Sequence, residues 1–267
     1  QSSTLVSLRC EHLVNPMGVD RPNPRFSWKI ADMGLNIKQL CYAVIVSEDP
    51  LNIQHGVGDV WQSGKIYSPK NLVTYTGESL RPKTRYYWTV SVWDEQGKIL
   101  TSKEVSYFET GKMDEVWNAK WISDSRDTLL HPAPYFRKEF RISKEVHAVR
   151  AYTAVAGLIE LSVNGKIIGD GLLNPMFTRY DRRCLYLTYE LTEEFRQGEN
   201  VLGVILGNGW YNLQSHAEWN FENAKWRNRP AFCLELDIKY ADGTSETIYS
   251  DTSWKTALGP IVFNSIY

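Results

Sequence analysis

The chain of 267 residues is 43% hydrophobic and 23% charged, which is enough to fill the core of one large domain or two ordinary ones and excludes a disordered chain. Its formal net charge of −1 argues against a nucleic-acid partner, because phosphate binding needs a clustered basic surface. No apolar run approaches the roughly 20 residues of a membrane span, so no spanning helix is predicted.

Residues 1–112 predict a first β-domain. Short alternations of apolar and polar residues, separated by prolines and glycines, are typical of strands and turns. Strands are predicted at residues 7–11, 25–30, 40–46, 86–93 and 105–109. Residues 50–70 are rich in glycine and predict a loop with one short strand near Val60 and Trp61.

The most diagnostic stretch of this first half leads into the strand that starts near Tyr86. Trp88, Val90 and Val92 alternate with polar residues, so they share one face with Tyr86. Leu80 lies six residues before Tyr86, which is similar to a tyrosine corner, where the Tyr hydroxyl bonds to upstream backbone. About seven short strands in this length favour a fibronectin type III or immunoglobulin-like sandwich.

Residues 113–267 predict a second β-domain, with the boundary in the glycine-containing segment 111–114. Asn164 and Gly165 predict a hairpin, because both residues of that turn need φ > 0. Residues 192–196 are the only predicted helical turn, with Thr192 as its cap. The strands are predicted at residues 134–140, 149–155, 158–163, 166–169, 184–189, 201–206, 232–240 and 246–249. The second unit is therefore an antiparallel sandwich of jelly-roll type, and the whole chain is all-β.

A candidate site follows the predicted central strand 201–206. This apolar run ends at two glycines followed by Trp210 and Tyr211. Loops at the end of a β-sandwich commonly carry function, so this stretch predicts aromatic side chains at a functional end of the second domain.

Most enzyme signatures are missing from the sequence. There is no Ser-His-Asp order, P-loop or dinucleotide fingerprint, and the five histidines form no HxH or HExxH pattern. The four cysteines show no CxxC spacing, which argues against zinc and thioredoxin-like chemistry. Cys10 and Cys41 could pair if their strands are neighbours, but free buried thiols are favoured. The pair Glu193 and Glu194 is interpreted as a solvated surface turn.

Several blocks, in order, resemble bacterial α-L-rhamnosidases of glycoside hydrolase family 78. Single blocks are weakly specific, whereas their joint order over nearly the whole chain is strongly so. The blocks are residues 13–20, 24–28, 58–65, 84–88, 119–122, 134–138, 163–166, 178–183 and 206–211. Residues 163–166 and 198–202 also resemble the galactose-binding-like domains of other glycosidases.

The resemblance implies a fibronectin-like sandwich and a galactose-binding-like sandwich, followed in the family by an (α/α) toroid that carries the catalytic acid and base. No toroid sequence precedes Tyr267, so the chain is expected to be the N-terminal, non-catalytic part of such an enzyme, and no catalytic residue is assigned. Gln1 is interpreted as the residue after a cleaved leader, and a periplasmic or secreted protein is expected.

A rhamnose-containing glycan and the catalytic domain of the same protein are the expected partners. Asn208, Trp210 and Tyr211 are the first candidates for sugar contact, because aromatic faces stack on sugars and polar groups fix hydroxyls. In the alternative, Trp210 and Tyr211 cover an interface with the catalytic domain, and an exposed patch with Trp219 is expected. The further candidates are Tyr180, Asp181 and Arg182, and then Trp219 and Asn220.

Two interpretations remain open beside these. Some relatives of the second sandwich bind L-rhamnose with calcium, and Asp170 and Asp181 are weak candidate ligands, although neither lies in a ligand-dense loop. A stand-alone carbohydrate-binding or adhesion module with no catalytic partner would also fit the two predicted sandwiches.

Overall fold

The fold is described from a computed structural model over residues 4–31 and 36–266, so Gln1 and Tyr267 lie outside the described residues. The chain divides into two compact units, residues 1–116 and 117–267. The predicted boundary, between residues 112 and 113, precedes this division by four residues.

Unit 1 is a β-sandwich with one short helix, α1 (Pro50–Gln54). Its strands are β1 (Thr4–Cys10), β2 (Met17–Val19), β3 (Arg25–Ala31), β4 (Gln39–Ser47), β5 (Trp61–Gln62), β6 (Ile66–Tyr67), β7 (Leu72–Thr74), β8 (Arg85–Asp94), β9 (Ile99–Thr101) and β10 (Ser106–Thr110). One sheet has the order β1-β3-β7 and the other β2-β10-β8-β4-β5, with β6 on β4 and β9 on β8. Only β2 and β10 pair in parallel among these described strands.

The tyrosine corner of unit 1 is confirmed. The backbone N–H of Arg81 donates to the Tyr86 hydroxyl at 2.9 Å. Strand β8 alternates as the sequence predicts, and Tyr86, Trp88, Val90 and Val92 are all buried. Because this strand lies next to both β10 and β4, its apolar face supplies the centre of the core of unit 1.

The prediction of a loop with one short strand over residues 50–70 is wrong at its start, where the structure has a helix. Helix α1 begins at Pro50, and Asp49 caps it by accepting a hydrogen bond from the backbone N–H of Leu51 at 2.9 Å. Asp followed by Pro is a helix-start signal, since Asp accepts from free N–H groups and Pro lacks one. The helix has only five residues, too few for an apolar periodicity to be visible in the sequence.

Unit 2 is a sandwich of two antiparallel sheets. Its strands are β11 (Pro134–Ile142), β12 (Val146–Ala156), β13 (Leu158–Val163), β14 (Lys166–Ile167), β15 (Tyr186–Glu190), β16 (Gly198–Gly207), β17 (Ala231–Tyr240), β18 (Ser245–Tyr249) and β19 (Lys255–Leu258). The five-stranded sheet has the order β14-β13-β16-β11-β19 and the four-stranded sheet β15-β12-β17-β18. The predicted hairpin is present, with Asn164 at φ 50° and Gly165 at φ 84°.

The predicted helical turn near Thr192 exists, but its cap is wrong. Residues Thr192–Glu194 form a single 3₁₀ turn whose cap residue is Leu191, without a side-chain hydrogen bond. The Thr192 hydroxyl instead accepts from the backbone N–H of Val149 at 3.0 Å, because β12 lies beside the turn. A further 3₁₀ turn, Phe221–Asn223, lies in the loop after β16 and was not predicted.

The outer face of the four-stranded sheet is partly covered by the segment that opens unit 2. Glu235 of β17 is buried, although its place in the alternation predicts an outward side chain. Its carboxylate accepts hydrogen bonds from the backbone N–H groups of Asn118, at 2.6 Å, and Ala119, at 3.1 Å. The same segment continues to Ile122, whose backbone pairs with that of Phe232, so Trp121 lies beside the start of β17.

Candidate functional site

One end of unit 2 gathers aromatic side chains from separate loops. The loop between β14 and β15 contributes Phe177 and Tyr180, and the loop after β16 contributes Trp210, Tyr211 and further rings. The rings form a connected group, here called the aromatic cluster, made of Phe177, Tyr180, Trp210, Tyr211, Trp219, Phe221 and Trp226. Within the cluster, the ring of Phe177 lies 5.4 Å from Phe221 and 6.0 Å from Trp210 between ring centroids.

A concave pocket of about 370 Å³ opens beside the aromatic cluster. This volume lies at the low end of the range for small-molecule sites, about 300–1,000 Å³. The pocket is lined by four aromatic rings and three small side chains, which are Trp121, Tyr180, Tyr211, Trp226, Ala156, Cys184 and Ala231. The pocket therefore joins Tyr180 and Tyr211, from two different predicted candidate groups, in one concave surface.

The titratable groups of the pocket are neutral near pH 7. Burial raises the pKa of Tyr180 to about 12, and it also raises the pKa of Tyr211 above its ordinary value. Burial raises the pKa of Cys184 to about 11, and its thiol donates to the backbone carbonyl of Val155 at 2.8 Å. The Nε1 atom of Trp226 is buried and has no hydrogen-bond partner among the described residues. The pocket thus presents apolar walls to a neutral ligand.

Asn208 lies beside this end but is not presented to solvent. It is fully buried, and its amide Nδ2 donates to the backbone carbonyl of Asn264 at 2.8 Å. Its Oδ1 accepts from Nδ2 of Asn212 at 3.1 Å, and Arg227 donates to Oδ1 of Asn212 at 3.0 Å. The side chain of Asn208 therefore holds the loop after β16 against the segment around Asn264, and this geometry does not favour direct sugar contact.

The second predicted group, residues 180–182, does not lie together at the pocket. Tyr180 lines the pocket, whereas Asp181 and Arg182 are exposed. Asp181 accepts from Nε of Arg179 at 2.8 Å and from Nη2 at 3.0 Å, and this contact lowers the pKa of the Asp181 carboxyl. Because both charges are exposed, the ion pair contributes little to the stability of the fold. The Asp181 carboxylate is nevertheless already bound to the guanidinium of Arg179.

Calcium binding stays a prediction. Over residues 4–31 and 36–266, no three His, Cys, Asp or Glu side chains gather as metal ligands. Asp170 is exposed in the loop after β14, and Asp181 is paired with Arg179. Neither carboxylate therefore belongs to a described cluster of three such ligands, whereas calcium takes six to eight oxygen ligands.

Of the three residues around which an exposed patch is predicted, only Trp219 is mostly exposed. Trp210 and Tyr211 are only partly exposed, because the rings of Phe177 and Tyr180 pack against them. Trp219 is 66% exposed, and Asn220, at φ 55°, begins the 3₁₀ turn beside it. Within the described part of unit 2, the most exposed large apolar side chains lie in the loop after β14, and they are Leu172 (85%), Leu173 (77%) and Met176 (75%).

Sequence reasoning missed five of the seven residues that line the pocket. Trp121, Cys184 and Trp226 come from three separate loops, and no spacing relates them to Tyr211. A signal was present only for Phe177, which immediately precedes the 178–183 block.

Among the described residues, no helix has the length and apolar character to cross a membrane.

Two family models match the chain. Residues 5–114 match the Rha78A-like, N-terminal immunoglobulin domain, and residues 144–267 match the alpha-L-rhamnosidase N-terminal domain. An alpha-L-rhamnosidase of Formosa agariphila is 35% identical over 95% of this chain and 29% of its own length. One from Alteromonas sp. is 33% identical over 96% of this chain and 29% of its own length.

Solved structures give the same result for the fold. The structure of an alpha-L-rhamnosidase from Dictyoglumus thermophilum is 40% identical, with a TM-score of 0.87, over 99% of this chain and 31% of its own. That of a Streptomyces avermitilis alpha-L-rhamnosidase also has a TM-score of 0.87, at 22% identity. The chain thus spans about 29% of the length of these two curated relatives.

Proposed function

The chain belongs to the α-L-rhamnosidase family, of which it forms the N-terminal immunoglobulin-like and rhamnosidase N-terminal domains, and on this premise we propose that the whole protein hydrolyses terminal α-L-rhamnose from glycans or glycosides. This chain is its accessory, non-catalytic region. The observation that carries the proposal is the joint match of both domains, in order, within proteins more than three times as long. Inverting or retaining hydrolysis needs two carboxyls on one rigid scaffold, which the remaining part would supply.

The activity is tested by comparing the protein expressed with all the coding sequence that follows and this chain alone. Turnover of an aryl α-L-rhamnoside is expected for the longer protein and none for residues 1–267. A reading frame that ends near Tyr267 would instead favour a stand-alone binding or adhesion module. Turnover by the short chain alone would overturn the accessory role.

The aromatic pocket supports a second part of the proposal, that the accessory region binds a terminal rhamnosyl group. Rhamnose is a neutral 6-deoxy sugar, so it offers a methyl group and C–H faces together with hydroxyls. Tyr180, Tyr211 and Trp121 provide aromatic walls for the apolar parts. The absence of a charged side chain among the lining residues suits a neutral ligand.

Calorimetric titration with L-rhamnose, with and without calcium, tests this binding. Trp121→Ala is the informative variant, because Trp121 lines the pocket and is 50% exposed, so its removal leaves the hydrophobic core intact. Trp219→Ala is the matched control, since Trp219 is 66% exposed and lies outside the pocket lining. We expect binding to weaken about tenfold or more in Trp121→Ala only, as for loss of one stacking wall. Equal binding by both variants would exclude the pocket.

The exposed apolar loop supports the accessory role itself. Leu172, Leu173 and Met176 project largely into solvent, and Phe177 in the same loop packs on the aromatic cluster. Contiguous apolar surface of this kind marks a contact site. We assign it to the remaining part of the same protein, where it would support the catalytic domain.

A polymeric glycan is met outside the cytoplasm, so a periplasmic or secreted location is part of the proposal.

A further inference from the structure

The outer face of the five-stranded sheet in unit 2 contains a groove that is separate from the aromatic pocket. Gly203 on β16 pairs with Ser162 on β13 and with Arg137 on β11, and Arg137 pairs in turn with Lys255 on β19. These four residues form one row across four strands. Gly203 has no side chain and Ser162 a small one, so the row is low at its centre and a groove of about 390 Å³ results.

A side chain at position 203 would crowd the hydroxyl of its neighbour Ser162. A Cβ added to Gly203 would lie 2.5 Å from Oγ of Ser162, closer than non-bonded atoms approach. One wall of the groove is formed by Tyr135 and Ala257, which are paired across β11 and β19, and the other by Val201. The ring of Tyr135 rests on Gly259, where an added Cβ would lie 2.2 Å from Cε1. The Tyr135 ring is therefore held in place as part of a preformed wall.

The charges along this row are unbalanced. Arg137 and Lys255 lie directly opposite each other on antiparallel strands, an arrangement in which like charges destabilise a sheet. Glu139, two residues along β11, contacts Nη2 of Arg137 at 2.6 Å and offsets one of the two charges. Lys255 forms no ion pair with any described residue, and no carboxylate lines the groove. The groove therefore has an excess of positive charge beside an aromatic wall.

We propose that this groove is a second carbohydrate site, which takes a sugar chain that carries a carboxylate, such as a uronate. The carboxylate would lie between Lys255 and Arg137, where it relieves their repulsion and replaces water on both cations. The adjoining sugar ring would lie along Tyr135 and Val201, with Oγ of Ser162 as a hydroxyl partner. The proposal goes beyond the rhamnose pocket and the enzymatic assignment, because none of its residues lines that pocket.

The test is calorimetric titration of this chain with a galacturonate oligosaccharide and with the same oligosaccharide fully methyl-esterified. Lys255→Glu reverses the unpaired charge, and Ala257→Phe fills the groove at an exposed position. Lys239→Glu is the matched control, because Lys239 is an exposed lysine on β17 of the other sheet. Circular dichroism and thermal melts verify that each variant is folded.

The expected result is saturable binding of the free acid, at least about tenfold weaker binding of the methyl ester, and a similar loss in both groove variants. Lys239→Glu should bind as the unchanged chain does. Three results would overturn the proposal: no saturable binding of the acid, equal binding of acid and ester, or equal losses in Lys255→Glu and Lys239→Glu. Loss of rhamnose binding in Trp121→Ala would not affect the groove proposal, so the pocket and the groove are tested independently.

Discussion

At the scale of single residues, the ion pair between Asp124 and Arg229 places two opposite charges in the interior of unit 2. Both side chains are almost fully buried, and the guanidinium donates to both carboxylate oxygens, at 3.0 and 2.6 Å. It also donates to the backbone carbonyls of Leu130 and Pro132, so the loop before β11 is held on the chain that enters β17. We expect Arg229→Ala to lower the free energy of unfolding by about 3–5 kcal/mol, because it leaves a buried carboxylate without a partner.

Chemical denaturation measures this loss, and Arg141→Ala is the control. Arg141 pairs with Glu199 at 2.9 Å, but both side chains are about 70% exposed, so its loss should cost less than about 1 kcal/mol. Equal effects of the two substitutions would contradict the importance given to the buried pair.

The same pair gives a pH dependence. Burial alone would raise the pKa of Asp124, but hydrogen bonds and attraction from Arg229 outweigh burial and hold it below its ordinary value of 3.8. A carboxyl whose pKa is lowered on folding contributes stability above its unfolded pKa and loses it as the pH falls through the folded pKa. We therefore expect Asp124→Asn to be less stable than the unchanged chain at neutral pH and to lose less stability on acidification below about pH 4. Urea unfolding at several pH values checks this, and parallel curves would contradict it.

At the scale of elements, the hairpin between β13 and β14 depends on one asparagine. Asn164 adopts φ 50°, and its Oδ1 accepts from the backbone N–H of Val201 at 2.9 Å. Its Nδ2 donates to Oδ1 of the buried Asn200 at 3.0 Å, so the turn is tied to β16. We expect Asn164→Gly to lose about 1–2 kcal/mol through these bonds, and Asn164→Ala about 1 kcal/mol more, because alanine is strained at positive φ. Thermal or urea unfolding gives the order, and equal losses would show that the backbone conformation contributes nothing.

Period-2 patterns made the strands and their buried faces predictable from the sequence. Strands β8, β13 and β16 bury alternate residues, because each has one face on a core and one outward. Helix α1 was missed because its capping signal was short and local. The pocket was only partly predicted, since Trp121, Tyr180, Tyr211 and Trp226 come from loops whose meeting depends on the fold. Burial of Asn208 could not be predicted either, because its partners Asn212 and Asn264 carry no recognisable spacing.

At the scale of the whole molecule, each unit has a hydrophobic core of its own. The core of unit 1 is built on aromatic side chains such as Trp28, Trp88 and Phe108, and that of unit 2 on aliphatic residues of β12, β16 and β17. The two units match two different domain families, and each domain is expected to have its own core. Part of the apolar surface that neither core uses lies in the loop after β14, and this part is the proposed contact with the rest of the protein.

That surface predicts self-association of this chain. Leu172, Leu173 and Met176 are 75–85% exposed, so two copies can remove apolar area from water by packing these loops together. We expect sedimentation equilibrium to show concentration-dependent association, and the double variant Leu172→Glu with Met176→Glu to be monomeric. The double variant Leu13→Glu with Val14→Glu is the matched control, because those side chains are also exposed, at 59% and 65%, but lie in unit 1. A chain that stays monomeric at all concentrations, or association abolished equally by both double variants, would contradict the assignment of this loop as a contact surface.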